Sequence, residues 1–150
     1  MLPRSMTRAW IEERLDVIHP AHVAGFVTLM TELRRHFDGD LEALLVLACI
    51  SARVKGEGWQ ASLLHGEQQQ TRNTPTNALS ISHCTGIPRE SVRRRIRALE
   101  EKGWIERDSD GNWGPTLVAA KDLRPATEAT IIYLKTILGA AVEAQRNRPD

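Results

Sequence analysis

Apolar side chains recur along most of this chain at intervals of three and four, the spacing of one face of an α-helix. Trp10, Ile11, Leu15 and Ile18 keep that rhythm around Glu12, Glu13 and Asp16, predicting an amphipathic helix over 6–18. Pro20 suits the first turn of a second helix, in which Val23, Phe26, Val27, Met30, Leu33 and Phe37 repeat until Asp38-Gly39 breaks the pattern. Asp40 is placed to cap a third helix from 41 to about 54, ended by Gly56 and Gly58. The run from Leu44 to Ile50 is apolar nearly all round, which predicts a place at the centre of the fold.

The pattern then lapses. From 56 to 76 glycine, glutamine, threonine, asparagine and proline dominate, and only Trp59, Leu63 and Leu64 offer packing, so an exposed connector with room for one helical turn is predicted. Its glutamine triplet at 68–70 is too short to carry a function of its own. Asn77 reads as the N-cap of a short helix from 78 to about 85, and Gly86 as the left-handed residue that lets the chain leave it sharply. Pro88 opens the next helix, reaching 102, with Val92, Ile96 and Leu99 as a buried stripe and Gly103 as its stop. Segments 104–107 and 113–117 flank a polar stretch whose Asp110-Gly111 is a tight-turn signal, so they form a hairpin with Trp104 and Trp113 placed to face each other. Pro115 puts the second strand at an edge. A last helix over 127–145 carries Ile131, Ile132, Leu134, Leu138, Ala141 and Val142 on one broad apolar face.

Charge adds a local feature to a balanced chain. With 20 basic and 19 acidic residues the formal net charge is +1, so bulk electrostatics would not draw it to nucleic acid. Between Pro88 and Arg97, however, five arginines stand against the single acid Glu90, a local charge of +4. At about 100° per residue, Glu90, Arg94 and Arg97 point away from the buried stripe, with Arg93 beside them, whereas Arg95 falls near the core boundary and suits packing or a salt bridge. An arginine-rich helix face is often only solvated surface. Here helix, glycine turn, helix and hairpin follow in the order of a winged helix-turn-helix, whose second helix enters the major groove. In that reading Arg89, Glu90, Arg93 and Arg94 meet base edges, and Ser91, Arg97 and Lys102 contact the phosphate backbone. Arg107 and Asn112, with Trp113 beside them, reach flanking phosphates or the minor groove from the hairpin.

The residues 78–113, with the turn Thr85-Gly86-Ile87-Pro88, then Ser91-Val92 followed by arginines, Leu99, and Gly103-Trp104-Ile105 leading into the hairpin, resemble the DNA-reading half of bacterial winged-helix transcription regulators of the MarR and IclR groups. Helices before and after the hairpin in so short a chain are closer to the MarR plan. The resemblance implies a homodimer, for which the terminal helices independently offer apolar surface.

The expected fold is mainly α with a small β-hairpin: one domain over 1–150, with N-terminal helices for dimerisation at 1–39, a winged helix-turn-helix at 40–118 containing the connector 56–76, and a C-terminal dimerisation helix at 119–150. No stretch approaches the ~18 uninterrupted apolar residues of a membrane span, and Arg4, Arg8, Glu12 and Glu13 charge the start, so a cytoplasmic protein without membrane contact is expected. Cys49 and Cys84 belong to no paired motif and are expected reduced, Cys49 in the core and Cys84 as a small helix-packing thiol beside the turn, where a redox-sensitive role is the rarer case. His19 and His22 lie three apart with no further ligand at zinc spacing, and no nucleophile elbow, P-loop or catalytic carboxylate pair is evident. No metal, cofactor or enzymatic activity is therefore expected. The predicted function is a homodimeric, sequence-specific regulator of double-stranded DNA with its recognition helix at 88–102. The alternatives are a winged-helix protein-interaction module and a plasmid or phage replication initiator, and nothing in the sequence itself supports a small-molecule effector.

Overall fold

The computed structural model describes residues 6–55, 58–66, 72–73 and 75–148. Among these the chain is mainly helical, with eight helices and two antiparallel pairs of short strands. They are α1 (Arg8–Glu12), α2 (Leu15–His36), α3 (Leu41–Ser51), β1 (Val54–Lys55), α4 (Gly58–His65), β2 (Arg72–Asn73), α5 (Ala78–Thr85), α6 (Arg89–Glu101), β3 (Ile105–Arg107), β4 (Trp113–Pro115), α7 (Leu117–Asp122) and α8 (Arg124–Asn147). Two compact units result, one within Met1–Glu32 and Glu128–Asp150, the other within Leu33–Thr127. The sequence reading is one domain over 1–150, with 39 and 118 bounding its terminal helices.

In the first unit the helix expected over 6–18 is divided. α1 stops at Glu12, and the break falls at Glu13-Arg14, not at Pro20, which lies inside α2. Tertiary contacts of Arg14 account for this: its side chain is buried, donates to the Arg148 carbonyl at 2.6 Å and stacks on Trp10 at 4.7 Å. Pro20 has the backbone angle a helix needs and forfeits one hydrogen bond, so α2 continues through it. Trp10 Nε1 donates to Gln145 Oε1 at 2.7 Å, joining α1 to α8. Gly25 allows α2 to approach α8, since a Cβ there would stand 3.1 Å from the Tyr133 ring.

The second unit holds the larger core. Asp40 caps α3 through the Ala43 amide at 2.9 Å. Val46 and Ile50 are fully buried, whereas Leu45 is 47% exposed, so α3 is central on one side only and not all round. These residues meet Ile81 of α5 and Val92, Ile96 and Leu99 of α6, with Ile105 and Trp113 closing the core from the hairpin. Each such aliphatic side chain contributes about 1.5–3 kcal/mol on burial. The register is Ile105↔Pro115, Glu106↔Gly114 and Arg107↔Trp113.

Three further differences from the sequence reading have local causes. The connector is more ordered than composition suggests: α4 makes two turns and β1 pairs with β2, Val54 opposite Asn73. Val54 accordingly leaves α3, which ends at Ser51. Gly56, Glu57, the stretch 67–71 with its glutamine triplet, and Thr74 lie outside the described residues. The second hairpin strand ends at Pro115, because Thr116 caps the unforeseen helix α7 through the Ala119 amide at 3.1 Å. Trp104 does not face Trp113. It meets the Phe37 ring edge-on at 5.4 Å and donates to Asp122 at 2.9 Å, while Trp113 stands opposite Arg107.

Candidate nucleic-acid interface

The turn between α5 and α6 is fixed by short-range chemistry. Asn77 accepts the Ser80 amide at 2.9 Å and Ser80 Oγ accepts the Asn77 amide at 3.3 Å, a reciprocal capping box at the start of α5. At its end Gly86 adopts φ 75° and donates to the Ser82 carbonyl at 2.8 Å. A side chain at that angle would be strained. Thr85 Oγ1 spans the corner, donating to the Ile81 carbonyl at 2.7 Å and accepting the Ile87 amide at 3.2 Å. Pro88 is the N-cap of α6, one residue before the first turn in which the sequence placed it.

With Val92, Ile96 and Leu99 buried, the rest of α6 is presented to solvent: Glu90, Arg94 and Arg97 lie opposite the stripe, Arg93 beside them and Arg89 nearer its edge, all five exposed. They divide by position. Arg89, Arg93 and Arg97, four residues apart, line a cleft of about 730 Å³ between α6, the start of α5 and the hairpin. Arg107 and Asn112 line it from the hairpin and Asn77 from the cap of α5, and Glu100 is the one acid among the described residues that line it. Four guanidinium groups against one carboxylate make this cleft strongly positive in a chain of net charge +1. Arg107 stacks on Trp113 at 4.5 Å, which orients its guanidinium without neutralising it. Glu90 lies 3.6 Å from Arg93, and Arg94 is exposed beside the cleft without lining it.

Arg95 of α6 and Lys102, its C-cap, point elsewhere. Lys102 sits 3.4 Å from Asp38 and 4.6 Å from the Trp104 ring centroid, outside the cleft lining. Arg95, with its side chain 14% exposed, reaches Asp40 at 3.0 Å and Glu42 at 2.7 Å and clamps α6 to the start of α3. Ser91 is half-buried, and its carbonyl accepts from Arg95 at 3.4 Å. The sequence thus set Arg95 apart from the solvent-facing arginines, grouped Lys102 with Arg97, whose cleft it does not line, and took Asn77 for a cap alone. Its capping signature was visible; its place on the cleft depends on how α5 crosses α6.

The Arg95 clamp has a pH signature. Burial by itself raises Asp40, but the Ala43 amide, the Arg95 guanidinium and the Glu42 amide together outweigh it and hold the carboxyl below its ordinary 3.8. A carboxylate depressed in the folded state contributes stability that is complete above its unfolded pKa and lost as pH falls through the folded one. Asp40→Asn keeps a capping oxygen and removes the charge, so thermal melts should show it about 0.5–1 kcal/mol less stable than the parent at neutral pH, a modest figure because the carboxylate is 42% exposed. The difference should shrink as pH falls below the ordinary carboxylate value and disappear once Asp40 is protonated in the folded state as well.

No family model, curated protein or solved structure matches this chain. The cleft must be read from its own chemistry. Arginine stays charged at every accessible pH and presents a planar fork of donors, which suits phosphate oxygens and the guanine edge. Among the described residues no group of three or more His, Cys, Asp or Glu is arranged to hold a metal ion, and no helix is long and apolar enough to cross a membrane.

Proposed function

We propose that this chain is a homodimeric, sequence-specific double-stranded DNA-binding transcription regulator without catalytic activity. α5, the Gly86 turn and α6 act as a helix-turn-helix, and β3 and β4 act as its wing. The observation that carries this reading is the cleft lined by Arg89, Arg93, Arg97 and Arg107. Arg89, Arg93 and Arg97 are exposed along one flank of α6 and Arg107 lines the same cleft from β3, so a duplex lying on α6 meets all four. Arg89, Glu90, Arg93 and Arg94 on the first turns read bases, Ser91 and Arg97 hold phosphates, and Arg107 with Asn112 engages the flanking backbone. Lys102, occupied by Asp38 and Trp104, is a structural cation in this reading. The likeness of 78–113 to the MarR and IclR groups agrees with it.

Dimerisation is supported by the first unit. α2 has 22 residues and no buried side chain, and Val23, Phe26 and Val27 on it are exposed. Ile131, Leu134, Leu138 and Val142 line a shallow apolar groove along α8. A second copy, related by a two-fold axis, covers these side chains with like residues.

Selection from a pool of random duplexes at moderate salt tests the function. An inverted repeat should be enriched, and its affinity should fall steeply with salt, with a log–log slope of about −0.9 per phosphate neutralised. A pool that stays random after repeated rounds refutes sequence-specific binding.

A further inference from the structure

Two thiols that the sequence keeps 35 residues apart meet where α3 packs on α5. Cys49 lies in the last turn of α3 and Cys84 is the penultimate residue of α5, with their Sγ atoms 3.7 Å apart. Both are free; Cys49 is half-buried and Cys84 exposed. A disulfide needs an S–S length of about 2.05 Å, so closure requires the sulfurs to approach by roughly 1.7 Å, within reach of side-chain rotation and a small helix shift. Exposure gives the pair an order of reaction, because an oxidant from solvent meets Cys84 first and Cys49 stands behind it. Burial, and then Cys84 itself, push the Cys49 thiol up, while the nearby Arg53 charge acts in the opposite direction. That favours Cys84 as the attacking group.

We propose that Cys49 and Cys84 form an oxidisable dithiol that a hydroperoxide converts to an intrachain disulfide, and that this bond weakens DNA binding. The Cys84 thiolate attacks the terminal peroxide oxygen, the O–O bond breaks, and an alcohol or water leaves, with Cys84 oxidised to a sulfenic acid. The Cys49 thiolate then attacks that sulfur, the S–O bond breaks, and water leaves as the disulfide forms. Two thiols have lost two electrons and two protons, and the peroxide has been reduced to alcohol and water. The bond draws the end of α5 toward α3. Cys84 lies two residues before Gly86, and the Thr85 hydroxyl couples the last turn of α5 to Ile87, so the displacement reaches Arg89 at the entry to the cleft. The effect on DNA rests on the function proposed above; the bond itself does not.

The test treats the full chain with hydrogen peroxide, alkylates the remaining thiols and maps peptides by mass spectrometry. A Cys49–Cys84 crosslink that dithiothreitol reverses is expected. Cys49→Ser should instead leave a sulfenic acid at Cys84 that dimedone traps, and Cys84→Ser should leave Cys49 reduced. An intermolecular disulfide, or sulfinic acid at Cys84 without a crosslink, overturns the dithiol. On a selected duplex the oxidised parent should bind about tenfold more weakly, an ordinary coupling between two sites, with recovery on reduction and no response in Cys49→Ser. A crosslinked protein of unchanged affinity overturns the regulatory half. If neither redox form binds DNA while the crosslink forms, the reading of the cleft fails and the dithiol stands.

Discussion

Arg89→Ala, Arg93→Ala and Arg97→Ala combined should lower affinity for a selected duplex at least about a hundredfold, because each well-formed arginine contact to a base or phosphate is worth roughly 1–3 kcal/mol. Folding should be little affected. All three side chains are exposed, and the one intramolecular ion pair removed among the described residues, Arg93 with Glu90 at 3.6 Å, is open to solvent and worth under about 1 kcal/mol. Fluorescence anisotropy on a labelled duplex and thermal melts by circular dichroism give the two readouts. The salt dependence adds a third: if all three arginines contact phosphates, the slope should become shallower by about 2.7. Arg95→Ala is the contrasting variant. It strips Asp40 and Glu42 of a shared cation and should lower the melting temperature, while the arginines lining the cleft remain. Should the triple variant bind DNA as the parent does, the cleft is not the DNA-binding surface.

Local signals on 77–103 were legible because they depend on few residues. Asn77, Gly86 and Gly103 each fix their backbone through a cap or a left-handed angle, and the spacing of Val92, Ile96 and Leu99 decides which face of α6 turns inward. The arginines on the opposite face follow by geometry. What the sequence hid depends on distant partners. The break before α2 is set by Arg14 against the end of α8, over a separation of 134 residues, which no periodicity contains. Lys102, read as a phosphate contact, lies beside Asp38 and Trp104 and outside the cleft lining, and Trp104 is drawn from Trp113 by Phe37 and Asp122. Helix α7 was lost for a subtler reason, since Leu117 extends an apolar strand pattern as readily as it begins a helix. Thr116 is the cap that distinguishes them. Cys49 and Cys84 were read singly, because helix crossing and not spacing brings them together.

Leu134→Glu with Leu138→Glu should convert a dimer to a monomer. These side chains are 50% and 51% exposed on α8, so in a single chain the substitutions meet water and replace leucine by another good helix former. The fold should therefore persist. In a two-fold dimer built on the α8 groove, the same changes place four carboxylates in an apolar interface, where each loses its hydration and faces like charges. Light scattering coupled to gel filtration should report half the parent mass, and circular dichroism an unchanged helical signal. Loss of the second reading helix removes the advantage of simultaneous binding, so affinity for an inverted repeat should fall about 10²–10⁴-fold, while affinity for an isolated half-site stays near that of the parent. That split separates the two surfaces: α6 arginine variants lose both targets, whereas α8 glutamates lose only the one that needs two subunits. A variant that stays dimeric with full affinity places the interface elsewhere, and the exposed Val23, Phe26 and Val27 of α2 are then the next residues to charge.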